Sequence, residues 1–154
     1  MAASPSPEFT VQVEGAPRRL HPILRDEVYR VAGEALRNAF RHANAHHIEV
    51  EIRYDERRFR LRIRDDGKGI DPKLLEDHGR PGHFGLRGMR ERAKRVGGEL
   101  ALWSSNPRTD GALETGTEVD LRIPAEHAYQ GLIGVRNRSW FAEKLSGKHS
   151  ELKS

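Results

Sequence analysis

The stretch IEVEIRYDERRFRLRIRDDGKGI, Ile48 to Ile70, decides the fold. Ile48, Val50, Ile52 and Tyr54 alternate with Glu49, Glu51 and Arg53, and Phe59, Leu61 and Ile63 alternate with Arg60, Arg62 and Arg64. A period of two belongs to a strand with one buried and one polar face, so two half-buried strands are predicted. With the turn at Asp55 to Arg58, antiparallel pairing sets Tyr54 opposite Phe59, Glu51 opposite Arg62 and Glu49 opposite Arg64. The arginine run then reads as a solvated sheet face facing acidic neighbours. Asp65 ends the second strand, and Gly67 and Gly69 open the loop that follows.

Outward from these strands, Pro22 sits where a first-turn proline is tolerated, and a helix is predicted from about His21 to Ala43. Leu24, Val28, Val31, Ala32, Ala35, Leu36 and Ala39 fall on one broad face of it, which must be buried. Upstream, Thr10, Val11 and Val13 fit a short first strand. Downstream, a short helix is expected at Pro72 to Glu76, and the glycine-rich Asp77 to Phe84 has the composition of a mobile lid. Leu86, Met89, Ala93 and Val96 mark the inner stripe of a second helix, stopped by Gly97 and Gly98. Further strands are predicted at Glu99 to Trp103 and Glu118 to Ile123. The pattern is that of a two-layer α/β (α+β) sandwich, a mixed, mostly antiparallel sheet covered on one face by helices. Residues 1–8 read as a linker or cloning remnant, 9–124 as the domain, and 125–154 as a tail. In that tail Trp140, Phe141 and Leu145 fit either a short docking helix or a loose end.

The length of 154 residues suits one domain. With 36% hydrophobic and 32% charged residues and a mean hydropathy of -0.76, a soluble protein with heavily charged outer faces is expected. No apolar run approaches the roughly 18 residues of a membrane span, and no signal-peptide core is present, so a cytoplasmic location is expected. Without cysteine there are no disulfides, thiolate metal sites or thiol nucleophiles. The net charge of +4 and pI near 9.7 raise the question of nucleic acid. The arginines, however, lie in an alternating strand or on one helix, and 6% aromatics make no stacking platform, so nucleic acid is not an expected partner.

Three stretches carry chemistry. In EALRNAFRHA, Glu34, Asn38 and His42 recur every four residues and line one side of the first helix, with Arg41 beside them. An Asn carbonyl oxygen is a hard neutral ligand for phosphate-bound Mg²⁺, Glu34 can polarise a water or acceptor, and Arg41 or His42 can meet phosphate oxygens. The same stripe also fits a solvated helix side on which Glu34 pairs with Arg37, Asn38 or Arg41. In DDGKGI, a carboxylate at a strand end can accept from the exocyclic amine of a purine while glycines let the backbone approach the base; a plain strand-end turn has the same composition. In Gly82-His83-Phe84-Gly85-Leu86-Arg87-Gly88-Met89, glycines precede a helix start whose free N–H groups can hold phosphates; a flexible loop before an amphipathic helix is the plainer alternative. No Gly-Lys-Ser/Thr follows, so this is not a Walker loop.

In order and setting together, the three stretches resemble the catalytic ATP-binding domain of bacterial sensor histidine kinases, of the superfamily that includes gyrase B and heat-shock chaperone ATPases. EALRNAFRHA resembles the N box, DDGKGI the first glycine box, and GHFGLRGMRER with Gly116-Thr117-Glu118-Val119 the second glycine box and closing strand. The match runs from about Phe9 to Pro124 and is most similar to the nitrate-sensor-like branch. The resemblance implies the Bergerat fold with ATP and Mg²⁺ as cofactors. It implies that Asn38 coordinates Mg²⁺, that Asp65 binds the adenine amine, and that Gly67, Gly69 and Ile70 shape the base pocket. It further implies that Gly82, His83, Phe84, Gly85 and Leu86 cover the triphosphate, that Arg41 and His42 face phosphates, and that Thr117 lies near the adenine. Glu34 and His42 join Asn38 as catalytic candidates, Glu34 at the position of the general base in hydrolytic relatives.

Such kinases carry the phosphoacceptor His on a dimeric two-helix segment, and none of the eight histidines here lies in such a helix. The chain as given is therefore expected to be a monomer that binds ATP with little autophosphorylation. Its implied partners are an upstream dimerisation and phosphoacceptor domain, a response regulator, and a second copy of the parent protein. A serine kinase of the anti-sigma-factor type, or a catalytically silent regulatory domain of the same fold, is the alternative.

Overall fold

Burial of the alternating strands needs a cover, and the first helix provides it. The computed structural model of the chain describes residues 5–41, 43–70, 85–105, 115–131 and 139–152. In it β1 (Glu8–Glu14), α1 (Pro22–Arg41), β2 (His47–Tyr54) and β3 (Arg58–Asp65) are followed by α2 (Gly85–Arg95), β4 (Glu99–Ser105) and β5 (Gly116–Pro124). Two further helices, α3 (Ala125–Ala128) and α4 (Trp140–Leu152), end the described chain. The strands form one sheet in the order β1-β2-β3-β5-β4. β1 runs parallel to β2, which α1 connects to it, and every other neighbour is antiparallel. The predicted register holds: Tyr54 faces Phe59, Glu51 faces Arg62 and Glu49 faces Arg64.

On the inner face Ile48, Val50, Ile52, Phe59, Leu61, Ile63, Val119, Leu121 and Ile123 are buried. Leu24, Val28, Val31, Ala32, Ala35, Leu36 and Ala39 of α1 close over them, as the helical wheel requires. The helix ends at Arg41 rather than Ala43, and Asn44 turns the chain at φ 51°, a conformation that asparagine tolerates better than most residues. Met89 and Ala93 bury the inner stripe of α2, and its last turn closes with the Gly98 N–H on the Ala93 carbonyl at 2.8 Å. Arg92 of α2 pairs with Glu27 near the start of α1 at 2.8 Å, with 15% and 17% of the side chains exposed. Since the C-terminal part of α2 lies against the N-terminal part of α1, the start of α2 points towards the end of the sheet where α1 finishes.

The arginine face is more enclosed than a solvated face requires. Arg60 donates from Nε and Nη2 to the two oxygens of Asp120 at 2.9 Å each, and Arg122 joins the same carboxylate at 2.9 Å. The Asp120 side chain is only 7% exposed, and these cations hold its carboxyl below the usual carboxylate range against the opposing effect of burial. Arg62 pairs with Glu51 at 2.9 Å, but Arg64 pairs with Glu118 of β5 at 3.1 Å although Glu49 faces it on β2. The sequence reading had no place for β5 beside β3, so it assigned the arginines to water and to β2 alone.

Of the two readings open for the region after residue 125, the described residues take the helical one. Phe141 and Leu145 of α4 are fully buried, Phe141 against Phe59 with ring centroids 5.6 Å apart. Trp140 meets Tyr29 of α1 edge-on and lies under the Arg25 guanidinium, and the Tyr54 and Ser139 hydroxyls share a buried hydrogen bond of 2.7 Å. No described helix is long and apolar enough to cross a membrane.

Candidate functional site

Three apolar alternations end in polar residues at the same end of the sheet. Along the inner face β3 reads Phe59, Leu61, Ile63, Asp65; β5, from its far end, reads Ile123, Leu121, Val119, Thr117; and β4 reads Leu100, Leu102, Ser104. The register sets Asp65 opposite Thr117 and Thr117 opposite Ser104. One cross-strand row on the helix-facing side thus carries a carboxylate and two hydroxyls where the strands would otherwise continue the core.

Asp65 Oδ1 accepts from the Gly67 N–H at 2.9 Å, and the Thr117 backbone N–H also donates to the carboxylate. Burial outweighs these bonds and pushes the Asp65 carboxyl up to about 6, with the neighbouring Asp66 charge acting in the same direction. A carboxylate so poorly solvated is a strong acceptor for an N–H-bearing ligand that reaches it.

The loop after Asp65 is stitched to both sides. The Lys68 N–H donates to the Ala43 carbonyl at 2.8 Å, just past the end of α1, and the Ile70 N–H donates to Ser104 Oγ at 2.6 Å. Gly67 sits so close to Ala43 that any Cβ would strike the Ala43 carbonyl oxygen, which leaves glycine as the residue that fits. Gly116, at φ +134°, leaves the same lack of room against the Asp65 carbonyl oxygen. Asp66 turns the other way: its Oδ1 accepts from the His46 and His47 backbone N–H groups at 2.8 Å each, and its Oδ2 lies 2.7 Å from His47 Nδ1. These bonds hold the Asp66 carboxyl below its ordinary range, and the bond to Asp66 raises the exposed His47 ring. Asp66 therefore ties the segment leading into β2 to the glycine loop and leaves Asp65 free to face the cleft.

The geometry brings most of the sequence-predicted residues to this one end. Asn38, half-buried in the last turn of α1, and Arg41, its exposed final residue, stand beside Ala43 and so beside the loop of Gly67, Gly69 and Ile70. Thr117 stands next to Asp65, and Gly85 and Leu86 begin α2, whose N-terminus points to the same end. Glu34 lies one turn earlier, and its Oε2 accepts from Arg37 Nη1 at 2.6 Å, one of the pairings the plainer reading allowed. His42, Gly82, His83 and Phe84, with the short helix at Pro72 to Glu76 and the lid from Asp77, lie outside the described residues. Sequence reasoning missed Ser104 and the clamp made by Asp66, and named Gly116 only as part of the closing-strand motif. The signal for Ser104 was present, since it is the polar residue that ends the alternation Leu100, Leu102. A shallow cavity lined by Arg90, Lys94, Glu99 and Arg122 lies at the opposite end of β4 and takes no part in this arrangement.

Residues 24–127, well over half of the chain, match the model of the "Histidine kinase-, DNA gyrase B-, and HSP90-like ATPase" family. The chain belongs to this ATPase family. Among curated relatives, the sensor histidine kinase YdfH of Bacillus subtilis is 31% identical over 117 residues, covering 73% of this chain and 26% of YdfH. The histidine-protein kinase/phosphatase DegS of Brevibacillus brevis is 37% identical over 75 residues, covering 49% of this chain and 18% of DegS. The chain thus spans about a quarter or less of the length of these relatives. Among solved structures, the histidine kinase domain of a blue-light activated kinase from Erythrobacter litoralis matches with a TM-score of 0.56 at 23% identity, covering 77% of this chain and 55% of that one. The mycobacterial sensor histidine kinase MprB matches with a TM-score of 0.56 at 21% identity, covering 80% and 83%. These two establish the shared fold, the Bergerat sandwich of the family. Seen as a member of it, the ATPase-family domain carries its row of Asp65, Thr117 and Ser104 at the end of the sheet where α1 finishes, beside the loop of Gly67 and Gly69.

Proposed function

We propose that this domain binds Mg-ATP and, within its parent protein, supplies the γ-phosphoryl group to a histidine on a dimerisation domain, from which a response regulator is then phosphorylated. The observation that carries the reading is Asp65, a desolvated acceptor beside a glycine loop that is stitched to the residues just after α1. Family membership and curated relatives that are sensor histidine kinases support this reading over the serine-kinase alternative. A cytoplasmic setting follows from where ATP is available.

The adenine amine would donate to Asp65, with Thr117 at the adjoining ring position and Gly67, Gly69 and Ile70 forming the pocket wall. Phosphates would lie towards Arg41, His42 and the start of α2 at Gly85 and Leu86, where free N–H groups and the helix dipole favour anions; Gly82, His83 and Phe84 would cover them. For Mg²⁺, the described residues offer no group of three acidic or imidazole side chains. The single neutral amide oxygen of Asn38 fits a cation that arrives with its anionic ligands already attached, as phosphate-bound Mg²⁺ does. Bound there, Mg²⁺ supplies charge neutralisation for the phosphate oxygens. In phosphoryl transfer the N–P bond to the histidine forms as the bond from the γ-phosphorus to the ADP oxygen breaks, and the protein contributes mainly position and electrostatic support. Glu34, once released from Arg37, is the group proposed to orient the acceptor or a water.

Asn38→Ala is the direct test of the metal role. Calorimetric titration with ATP is expected to show an affinity about 10-fold to 100-fold weaker than wild type in millimolar Mg²⁺ and a smaller difference in EDTA. Equal affinity of variant and wild type for Mg-ATP would remove Asn38 from metal binding.

A further inference from the structure

We infer that Ser104, on the edge strand β4, is a positioning and specificity-determining residue: its hydroxyl fixes which way the Thr117 hydroxyl points and so makes the pocket accept adenine and refuse guanine. The inference rests on the nucleotide reading above and adds to it a residue outside the three motif stretches.

A serine hydroxyl has one proton to donate and two lone pairs to accept with. Ser104 Oγ accepts from the Ile70 N–H at 2.6 Å, which uses one lone pair and points that side of the oxygen at the loop. It also lies 3.3 Å from Thr117 Oγ1, a contact in which either hydroxyl can donate. In the proposed arrangement Ser104 donates and Thr117 accepts. With one lone pair of Oγ1 taken by Ser104 on the β4 side, the Thr117 proton is left to point away from β4, to the cleft. Thr117 is buried and cannot exchange this arrangement freely with water.

The pocket edge then presents an acceptor, Asp65, next to a donor, Thr117. Adenine offers the complement, a donor amine beside an acceptor ring nitrogen. Guanine offers the reverse, a carbonyl beside a ring N–H, and would set acceptor against acceptor and donor against donor, directly or through one bridging water. Sites built on a buried hydrogen-bonding pattern reject the mismatched analogue strongly because the buried groups are left unpaired. The same Ser104 oxygen accepts from the Ile70 N–H, so one hydroxyl bears on both the loop and the polarity of the row.

Titration of wild type, Ser104→Ala and Ser104→Thr with Mg-ATP and Mg-GTP, alongside thermal unfolding without nucleotide, tests this. Wild type is expected to prefer ATP by about 100-fold or more. Ser104→Ala is expected to bind ATP about 10-fold more weakly and to narrow the ATP-to-GTP ratio by about 10-fold, because Thr117 can then rotate. Ser104→Thr, which keeps the hydroxyl, is expected to restore the ratio. If Ser104→Ala weakens ATP and GTP equally, or changes neither, the polarity role is wrong, because a merely structural loss leaves the ratio alone. A ratio not restored by Ser104→Thr, in a variant that unfolds at the wild-type temperature, also overturns it. Failure of folded wild type to bind any nucleotide refutes the underlying reading instead.

Discussion

Asp65→Asn is expected to weaken Mg-ATP binding by about 100-fold or more while making the nucleotide-free domain more stable at neutral pH. The two effects share one cause. The carboxylate is held in a place that suits a ligand's amine better than it suits the empty protein, and burial raises its carboxyl from 3.8 to about 6. The folded state therefore binds a proton more readily than the unfolded chain between about pH 4 and pH 6, and stability contributed by this group is lost as pH rises through 6. At pH 7 the ionised carboxylate costs the empty domain on the order of 1 to 2 kcal/mol after allowing for solvent screening, which the neutral amide removes. The amide keeps one acceptor oxygen for the protein's own N–H groups and presents its NH2 where the ligand amine needs an acceptor, so affinity falls. In wild type, ATP affinity is expected to decline as pH drops below about 6, because protonation removes the acceptor. Calorimetry and melting curves from pH 5 to 8 on both proteins check this. A variant that binds ATP like wild type, or a wild-type affinity that does not fall below pH 6, contradicts the role given to Asp65.

Phe141→Ala is expected to cost about 3 to 5 kcal/mol of stability, the usual loss for a fully buried phenylalanine. Phe141 has no exposed surface and lies against Phe59 and Trp140, at ring distances of 5.6 and 5.0 Å. The family match stops at residue 127, so Phe141 lies outside it, and yet α4 covers the Tyr54 and Phe59 end of the core. A fall in the melting temperature on the order of 10 °C follows for a domain of this size, with Ser146→Ala as an exposed control on the same helix. ATP affinity measured below the transition should stay within about 2-fold, since Asp65 ends β3 opposite to the end where Phe59 lies. A melting temperature unchanged by Phe141→Ala means that α4 does not dock.

Much of this was legible in the chain because periodicity is a burial signal. The alternation in β2 and β3 fixed both strands and their register to the residue, and the apolar face of α1 is the one that is buried. What was not legible depended on neighbours that no local pattern specifies. β5 lies between β3 and β4, so the Arg60–Asp120 pair joins residues 60 positions apart, and charge alternation alone assigned those arginines to water. Ser104 visibly ends the alternation of Leu100 and Leu102, but its partner is not visible in the chain. As a serine near a strand end it looks like turn chemistry, and its meaning appears only when β4 and β5 align and Thr117 falls opposite. The clamp made by Asp66 was hidden because two adjacent aspartates read alike in sequence, whereas the strand pleat sends Asp65 inward and leaves Asp66 to cap the segment at His46 and His47.

The measurement that bears most directly on the account is a calorimetric titration of the folded wild-type domain with ATP in millimolar Mg²⁺ at pH 7.5. The account predicts saturable one-to-one binding with Kd below about 1 mM, stronger for ATP than for GTP and lost in Asp65→Asn. Absence of any binding heat at millimolar Mg-ATP, from protein whose melting curve confirms that it is folded, contradicts it.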